Sequence, residues 1–265
     1  RQVPLDDGWS ADLDAARELV DGETAVVVAS AFSYPHGVMD PVEELAAIAA
    51  EAGAGCHVDA CVGGMVLPFL ERLGIEVPPF DFRVPGVTAM SCDLHKYGYV
   101  PKGASVVLHR DPDWAQHQWF VYTDWPSGLY GSPAVAGAKS PAAVMTAWAF
   151  MEHLGLDGYT ALVADLMATV RRLQEGIAAI DGLAVVGEPI ASVFAFESTD
   201  PGLDIYAVGE EMERRGWLLN RNTEPISLHL MVSPGHAAHV EAILSDLREA
   251  VALRGRAQSG DVRYS

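Results

Sequence analysis

Nowhere does this sequence hold 18 consecutive apolar residues, so no segment of it is expected to cross a membrane as a helix. Its opening, Arg1-Gln2-Val3-Pro4-Leu5-Asp6-Asp7, leads into no apolar core of a secretion signal, and none is expected. Cysteine is scarce: Cys56, Cys61 and Cys92 are an odd number without a Cys-x-x-Cys spacing. That excludes a disulfide framework and argues against zinc; the three read as small buried hydrophobes of a reducing, cytoplasmic compartment. Basic residues are outnumbered, 17 against 36 acidic ones, for a net charge of −19. Nucleic acids and anionic membranes both need a basic footprint, so neither is an expected partner. A phosphorylated ligand would have to be held by a local cluster of positive groups. Internal repeats and low-complexity tracts are also missing.

What is present is a chain of 265 residues, half of them hydrophobic, enough to bury a substantial core in one or two domains. Helical spacing over 10–20 starts at Ser10, and the Val/Ala run 24–30 predicts a buried parallel strand. Asp40 then predicts a helix cap with Pro41 as first helical residue, leading into 42–52. Strand and helix alternate again through 56–59 and 66–73, the pattern of a mostly parallel sheet with helices on both faces and ligands at the carboxyl ends of its strands.

Two motifs fall at such ends. In Ser91-Cys92-Asp93-Leu94-His95-Lys96-Tyr97-Gly98-Tyr99, a lysine follows an apolar run, 87–90, and precedes another, 104–108. It is either an ordinary surface charge or an amine desolvated in a cleft, the requirement for a Schiff-base nucleophile. Upstream, Gly55-Cys56-His57-Val58-Asp59-Ala60-Cys61-Val62-Gly63-Gly64 places a carboxylate at a strand end. Asp59 reads either as a helix cap or as the partner that keeps a pyridoxal ring nitrogen protonated, with small Ala60, Gly63 and Gly64 allowing a flat ring close to the backbone.

His57-Val58-Asp59-Ala60 followed by His95-Lys96 resembles the group II pyridoxal-phosphate-dependent decarboxylases of fold-type I. The runs Tyr34-Pro35-His36-Gly37-Val38-Met39-Asp40-Pro41, His95-Lys96-Tyr97-Gly98-Tyr99-Val100-Pro101-Lys102-Gly103 and Thr123-Asp124-Trp125-Pro126-Ser127-Gly128-Leu129-Tyr130-Gly131-Ser132-Pro133 are similar to the sphingosine-1-phosphate lyase-like branch of that family. The likeness extends from about residue 3 to about 253. It implies pyridoxal 5'-phosphate held as a Schiff base by Lys96, with Asp59 at the ring nitrogen and His95 at the cofactor phosphate. Ala60 and His57 complete the cofactor contacts, although His57 reads equally as a packing residue. Lys102, Ser132 and, beside it, Tyr130 are implied at the substrate phosphate. The family's arginine is replaced near Lys139, which keeps the charge and loses the bidentate fork. His36 either lines the cofactor or closes its turn.

The implied reaction is retro-aldol cleavage of a phosphorylated long-chain amino alcohol to phosphoethanolamine and a fatty aldehyde. An amino-acid decarboxylase is the alternative, and a non-catalytic homologue a third, because the phosphate-binding turn and the ring-stacking residue of the family's N-terminal half do not precede Asp59. The resemblance also implies a homodimer with shared active sites. The sequence adds its own reason, an aromatic stretch within 113–141 holding Trp114, Trp119, Phe120, Tyr122, Trp125 and Tyr130, expected as an irregular loop at an interface. Residues 1–155 are thus expected to belong to the large cofactor-binding domain and 156–265 to a smaller α+β domain. A helix over 142–154 is expected to close the former; in the latter, helices are expected over 159–180, 205–215 and 236–253, strands over 192–197 and 226–232, and a frayed end over 258–265.

Overall fold

The computed structural model describes residues 1–135, 137 and 140–253. Its first sheet follows from three short β-branched and small-residue runs, β1 (Val26–Ser30), β2 (Gly55–Asp59) and β3 (Ala89–Cys92), which pair in parallel. A fourth strand, β4 (Val106–His109), closes the order β1-β2-β3-β4 and runs antiparallel to β3. Alternation decides which side is core. Val27, Ala29, Cys56 and Val58 are buried, whereas Val26 and Val28 point to the other face and remain 50% and 58% exposed. The Val/Ala run is therefore buried on one face and not on both.

Helices α1 (Leu13–Leu19), α2 (Val42–Glu51) and α3 (Leu67–Arg72) accompany these strands. Two caps differ from expectation. The carboxylate of Asp12, not Ser10, accepts from the amides of Asp14 and Ala15 and starts α1. Asp40 caps nothing; its carboxylate takes the Ser30 amide at 2.7 Å and the Ala11 amide at 3.1 Å, tying the end of β1 to the N-terminal segment, and α2 begins after Pro41. A side chain with competing backbone donors goes to those that would otherwise lie unpaired beside it.

The aromatic stretch is not an irregular loop. After the short α4 (Pro112–Ala115) it forms a hairpin, β5 (Phe120–Trp125) with β6 (Gly128–Ser132), turning through Pro126-Ser127. Every residue of β5 is exposed. Next comes α5 (Pro141–Ala178), two helical stretches as expected, joined at a kink at Gly155, whose φ of 59° and ψ of −173° are not helical.

The second sheet is antiparallel, in the order β7-β8-β10-β9, from β7 (Leu183–Val185), β8 (Val193–Ser198), β9 (Asn220–Thr223) and β10 (Ile226–Met231). Its helices are α6 (Ile205–Arg214) and α7 (Val240–Ala252), the latter preceded by a 3-10 turn over Pro234–Ala238. Strand β7, Leu183-Ala184-Val185, is too short to be read from pattern, and β9, Asn220-Arg221-Asn222-Thr223, carries no apolar residue. One continuous core joins the two sheets, with Val58, Leu67, Leu166, Phe194 and Phe196 fully buried. Burying each such side chain contributes about 1.5–3 kcal/mol. The two sheets also meet directly at Gly37: a Cβ there would lie 1.9 Å from the carbonyl oxygen of Val193, and its φ of +75° suits glycine. This contact seats the 33–38 turn on β8. Among the described residues no helix is long and apolar enough to cross a membrane. Lys139 and the 258–265 tail lie outside the described residues.

Candidate active site

The carboxyl ends of β2 and β3 lie side by side, with Asp59 paired to Ser91 in the register. The sheet pattern that ends in Asp59 therefore sets its carboxylate beside the segment that carries Lys96. Asp59 is exposed, and its Oδ1 accepts from the Cys61 amide at 3.0 Å and the Ser91 hydroxyl at 3.3 Å. His57, two residues earlier on the same face, reaches the same serine through Nε2 at 3.2 Å. Ser91 thus links His57 to Asp59. Burial holds the His57 imidazole below its ordinary pKa, partly offset by the Asp59 charge.

Ala60 is buried at the turn, where its amide bonds the Ser91 carbonyl at 3.1 Å. The neighbouring glycines have a packing cause of their own. A Cβ on Gly63 would stand 2.0 Å from the Ala31 carbonyl oxygen, and one on Gly64 would stand 2.7 Å from the Cys92 sulfur. Burial raises the thiols of Cys56, Cys61 and Cys92 to about 11, and all three are free.

Beyond β3 the chain makes a turn that the sequence reading left unassigned. Asp93 lies three residues before Lys96, and its Oδ2 pairs with Lys96 Nζ at 3.0 Å and stands 3.6 Å from His95 Nε2. Burial opposes ionisation of Asp93, yet hydrogen bonds from Ser105 and Lys96 with the nearby charges hold its carboxyl below the usual range. The Lys96 amine is thus held in an ion pair, with its side chain 31% exposed. His95 Nδ1 donates to the Ala104 carbonyl at 2.8 Å, which leaves Nε2 for Asp93 and the cleft.

Lys96, His95 and Lys102 line one cleft of about 600 Å³, together with Tyr34 and Tyr99. Its opposite wall comes from Met231, Val232 and Ser233, at the end of β10. The two walls are tied where the Tyr97 hydroxyl donates to the Val232 carbonyl at 2.7 Å. Lysine itself is the missed signal: the sequence holds only Lys96, Lys102 and Lys139, and two of the three line this cleft.

The remaining expected residues lie elsewhere: Asp59, Ala60 and His57 at the end of β2 are not on this cleft's wall, and His57 lines a separate pocket with Val26, Val28 and Trp114. Ser132 is buried at the base of the hairpin and donates to the Ala134 carbonyl at 2.6 Å. Tyr130 packs against Phe120 and Trp125 on the hairpin surface. Neither joins Lys96 within the chain. His36 ties its turn to the second sheet: it is buried against Trp9, bonds the Glu224 carbonyl at 3.1 Å and is not on the cleft wall.

Comparison with known proteins places the chain in a family. Residues 1–198 match the pyridoxal-dependent decarboxylase conserved domain. The chain is 44% identical over 250 residues to a sphingosine-1-phosphate lyase of Arabidopsis thaliana, covering 94% of this chain and 46% of that protein. It is 31% identical over 255 residues to a probable L-tyrosine/L-aspartate decarboxylase of Methanothermobacter thermautotrophicus, covering 96% of this chain and 69% of that one. A solved sphingosine-1-phosphate lyase of Burkholderia pseudomallei superposes with a TM-score of 0.89 at 41% identity, over 94% of this chain and 57% of that one. The chain spans about half the length of the curated lyases it matches. On the family match, the similarity to these relatives and the placement of Lys96 and Asp59 at adjacent strand ends, the chain belongs to the pyridoxal-dependent decarboxylase family.

Proposed function

We propose that the cleft binds pyridoxal 5'-phosphate and cleaves a phosphorylated long-chain amino alcohol of the sphingosine-1-phosphate type into phosphoethanolamine and a fatty aldehyde. The observation that carries this reading is the gathering of Lys96, His95 and Lys102 in one cleft of a chain with a net charge of −19. Such a cluster gives a phosphorylated ligand the local positive field that the molecule as a whole withholds.

The residues present fit the cofactor. An amine and a carboxylate stand at neighbouring strand ends, and both hydrogen bonds accepted by Asp59 fall on Oδ1. When bound, pyridoxal phosphate supplies an aldehyde that takes up amines and a protonated ring that withdraws electrons. Asp59 would hold the proton on the ring nitrogen, with Ser91 and the Cys61 amide fixing the carboxylate. Lys96 Nζ would hold the cofactor and would carry a proton to the substrate carbon that loses its bond. Asp93, paired with Nζ at 3.0 Å, would orient it. Lys102, in the turn before β4, meets the substrate phosphate as a point charge, and His95 the cofactor phosphate through Nε2.

We further propose a homodimer whose interface includes the β5–β6 hairpin. A two-stranded hairpin is marginally stable alone, and this one carries Trp119, Phe120, Trp125 and Leu129 exposed. On this reading Ser132 and Tyr130 serve the partner's site. We assign residues 1–155 to the large domain and those from 156 to the smaller one, a boundary that coincides with the bend at Gly155, and place the protein in the cytoplasm on the strength of its three free thiols. The test is an assay of purified holoenzyme with sphingosine-1-phosphate-type substrates and with aromatic and acidic amino acids. Fatty aldehyde release supports the lyase; carbon dioxide release without aldehyde overturns it in favour of the decarboxylase.

A further inference from the structure

A hydrogen-bonded chain behind the cleft wall joins residues 195 positions apart. Tyr34 lines the cleft with Lys96, and its hydroxyl lies 2.9 Å from His229 Nε2, the two rings meeting edge to face at 4.8 Å. His229 belongs to β10 and is 1% exposed. Its Nδ1 lies 2.7 Å from Oδ1 of Asn222, on the adjacent strand β9. The Asn222 amide donates to Ser227 Oγ at 2.9 Å, and Ser227 donates to the Pro225 carbonyl at 3.0 Å.

The donor inventory gives every link a direction. A carbonyl can only accept, so the Ser227 hydrogen is committed to Pro225 and Ser227 Oγ must accept from the Asn222 nitrogen. That turns Asn222 Oδ1 toward His229, whose Nδ1 must then carry the hydrogen. Nε2 is left as an acceptor, for the Tyr34 hydroxyl at 2.9 Å and, more distantly, the Asn220 amide at 3.2 Å. Burial first, with the nearby His36 second, lowers the His229 pKa to about 4, so the ring stays neutral and keeps this polarity at physiological pH.

We propose that Asn222 and His229 are positioning residues that commit the Tyr34 hydroxyl hydrogen inward, so that Tyr34 meets whatever fills the Lys96 cleft as a hydrogen-bond acceptor. The matching donor is the hydroxyl or amine of an amino-alcohol substrate, and this last step rests on the function proposed above. Nothing about β9 or β10 otherwise requires a polar chain here. A buried histidine in a strand pairs as readily with one neighbour as with three, whereas this one is clamped on both ring nitrogens.

Two experiments on the holoenzyme test it. A neutron diffraction map reads the hydrogens directly: deuterium on His229 Nδ1 and a Tyr34 O–D aimed at Nε2 are expected, and deuterium on Nε2 overturns the proposal whatever the enzyme's substrate. The second is a kinetic cycle. Tyr34→Phe and His229→Leu should each lower kcat/KM about tenfold, the scale of one hydrogen bond in the site, and the double variant should fall no further than either. His229→Gln, which can still offer an acceptor, should recover most of the loss. Losses that multiply in the double variant, or Gln no better than Leu, overturn it. Absence of aldehyde release in the unaltered enzyme would instead sink the functional reading and leave the neutron result to decide the positioning claim.

Discussion

Acid should weaken this fold through His229, by an amount the structure allows to be worked out. The imidazole is 1% exposed, and burial, with His36 nearby, takes its pKa from 6.5 to about 4. In the unfolded chain the same ring titrates at its ordinary value, so between these two pH values the unfolded state binds a proton that the folded state refuses. For a depressed histidine the sign is fixed: its contribution is fully present above 6.5 and is lost as pH falls toward 4. Each pH unit is worth about 1.4 kcal/mol, so the loss from 6.5 to 4 is about 3 kcal/mol. That is a large part of a typical domain stability of about 5–15 kcal/mol. His229→Gln carries no titrating ring. The assay is urea unfolding of both proteins at pH 7.5, 5.5 and 4.5. His36 and His57, whose pKa values burial also lowers, titrate in both and largely cancel in the difference. The stability advantage of the native histidine over glutamine should shrink by about 3 kcal/mol across that range. Parallel stability curves for the two proteins down to pH 4.5 would refute the reasoning.

Three further outcomes are expected. Lys96→Ala should abolish the visible absorbance band of the bound cofactor while leaving the far-ultraviolet circular dichroism unchanged; a band that persists removes Lys96 from its role. Gly37→Ala must hold a left-handed backbone at φ +75° and push a Cβ off the Val193 carbonyl, so its unfolding free energy should drop by at least about 2 kcal/mol, and a neutral result in urea melts would contradict the close approach. Trp125→Ala should weaken the proposed dimer by about 2 kcal/mol, on the order of thirtyfold in dissociation constant by sedimentation, and an unchanged constant would take the hairpin out of the interface.

The parts of this molecule that could be read in advance are those where local pattern and final environment agree. Cys56, Val58 and Met90 alternate inward along strands whose polar ends carry Asp59 and the Lys96 turn, and a parallel strand that stops at a carboxylate or an amine announces a ligand site. The misread places are those where a side chain chose a distant partner over a local one. Asp40 precedes a helix and looks like its cap, but the unpaired amides of Ser30 and Ala11 lie closer to its carboxylate. The hairpin was hidden for the opposite reason. Phe120 to Trp125 expose both faces, so no alternation of polar and apolar residues marks a strand; only Pro126-Ser127-Gly128 hints at the turn.

The far wall of the cleft shows why motif reading stops where it does. Lys96, His95 and Lys102 fall within eight residues and are recognisable together, but Tyr34 and His229 share no sequence neighbourhood and neither is unusual in its own strand or turn. What unites them is the docking of one sheet on the other. Gly37 lets the 33–38 turn descend onto β8, Tyr97 ties the lysine segment to Val232, and β10 then delivers His229 under Tyr34. Each of these contacts costs little to specify locally and has meaning only once the second sheet is in place. The chemistry of the near wall is therefore written in one motif, whereas the polarity of the far wall is fixed by packing between segments nearly 200 residues apart, and a substitution at Gly37, which is not on the cleft wall, should disturb the site without touching any group that meets a ligand's reacting atoms.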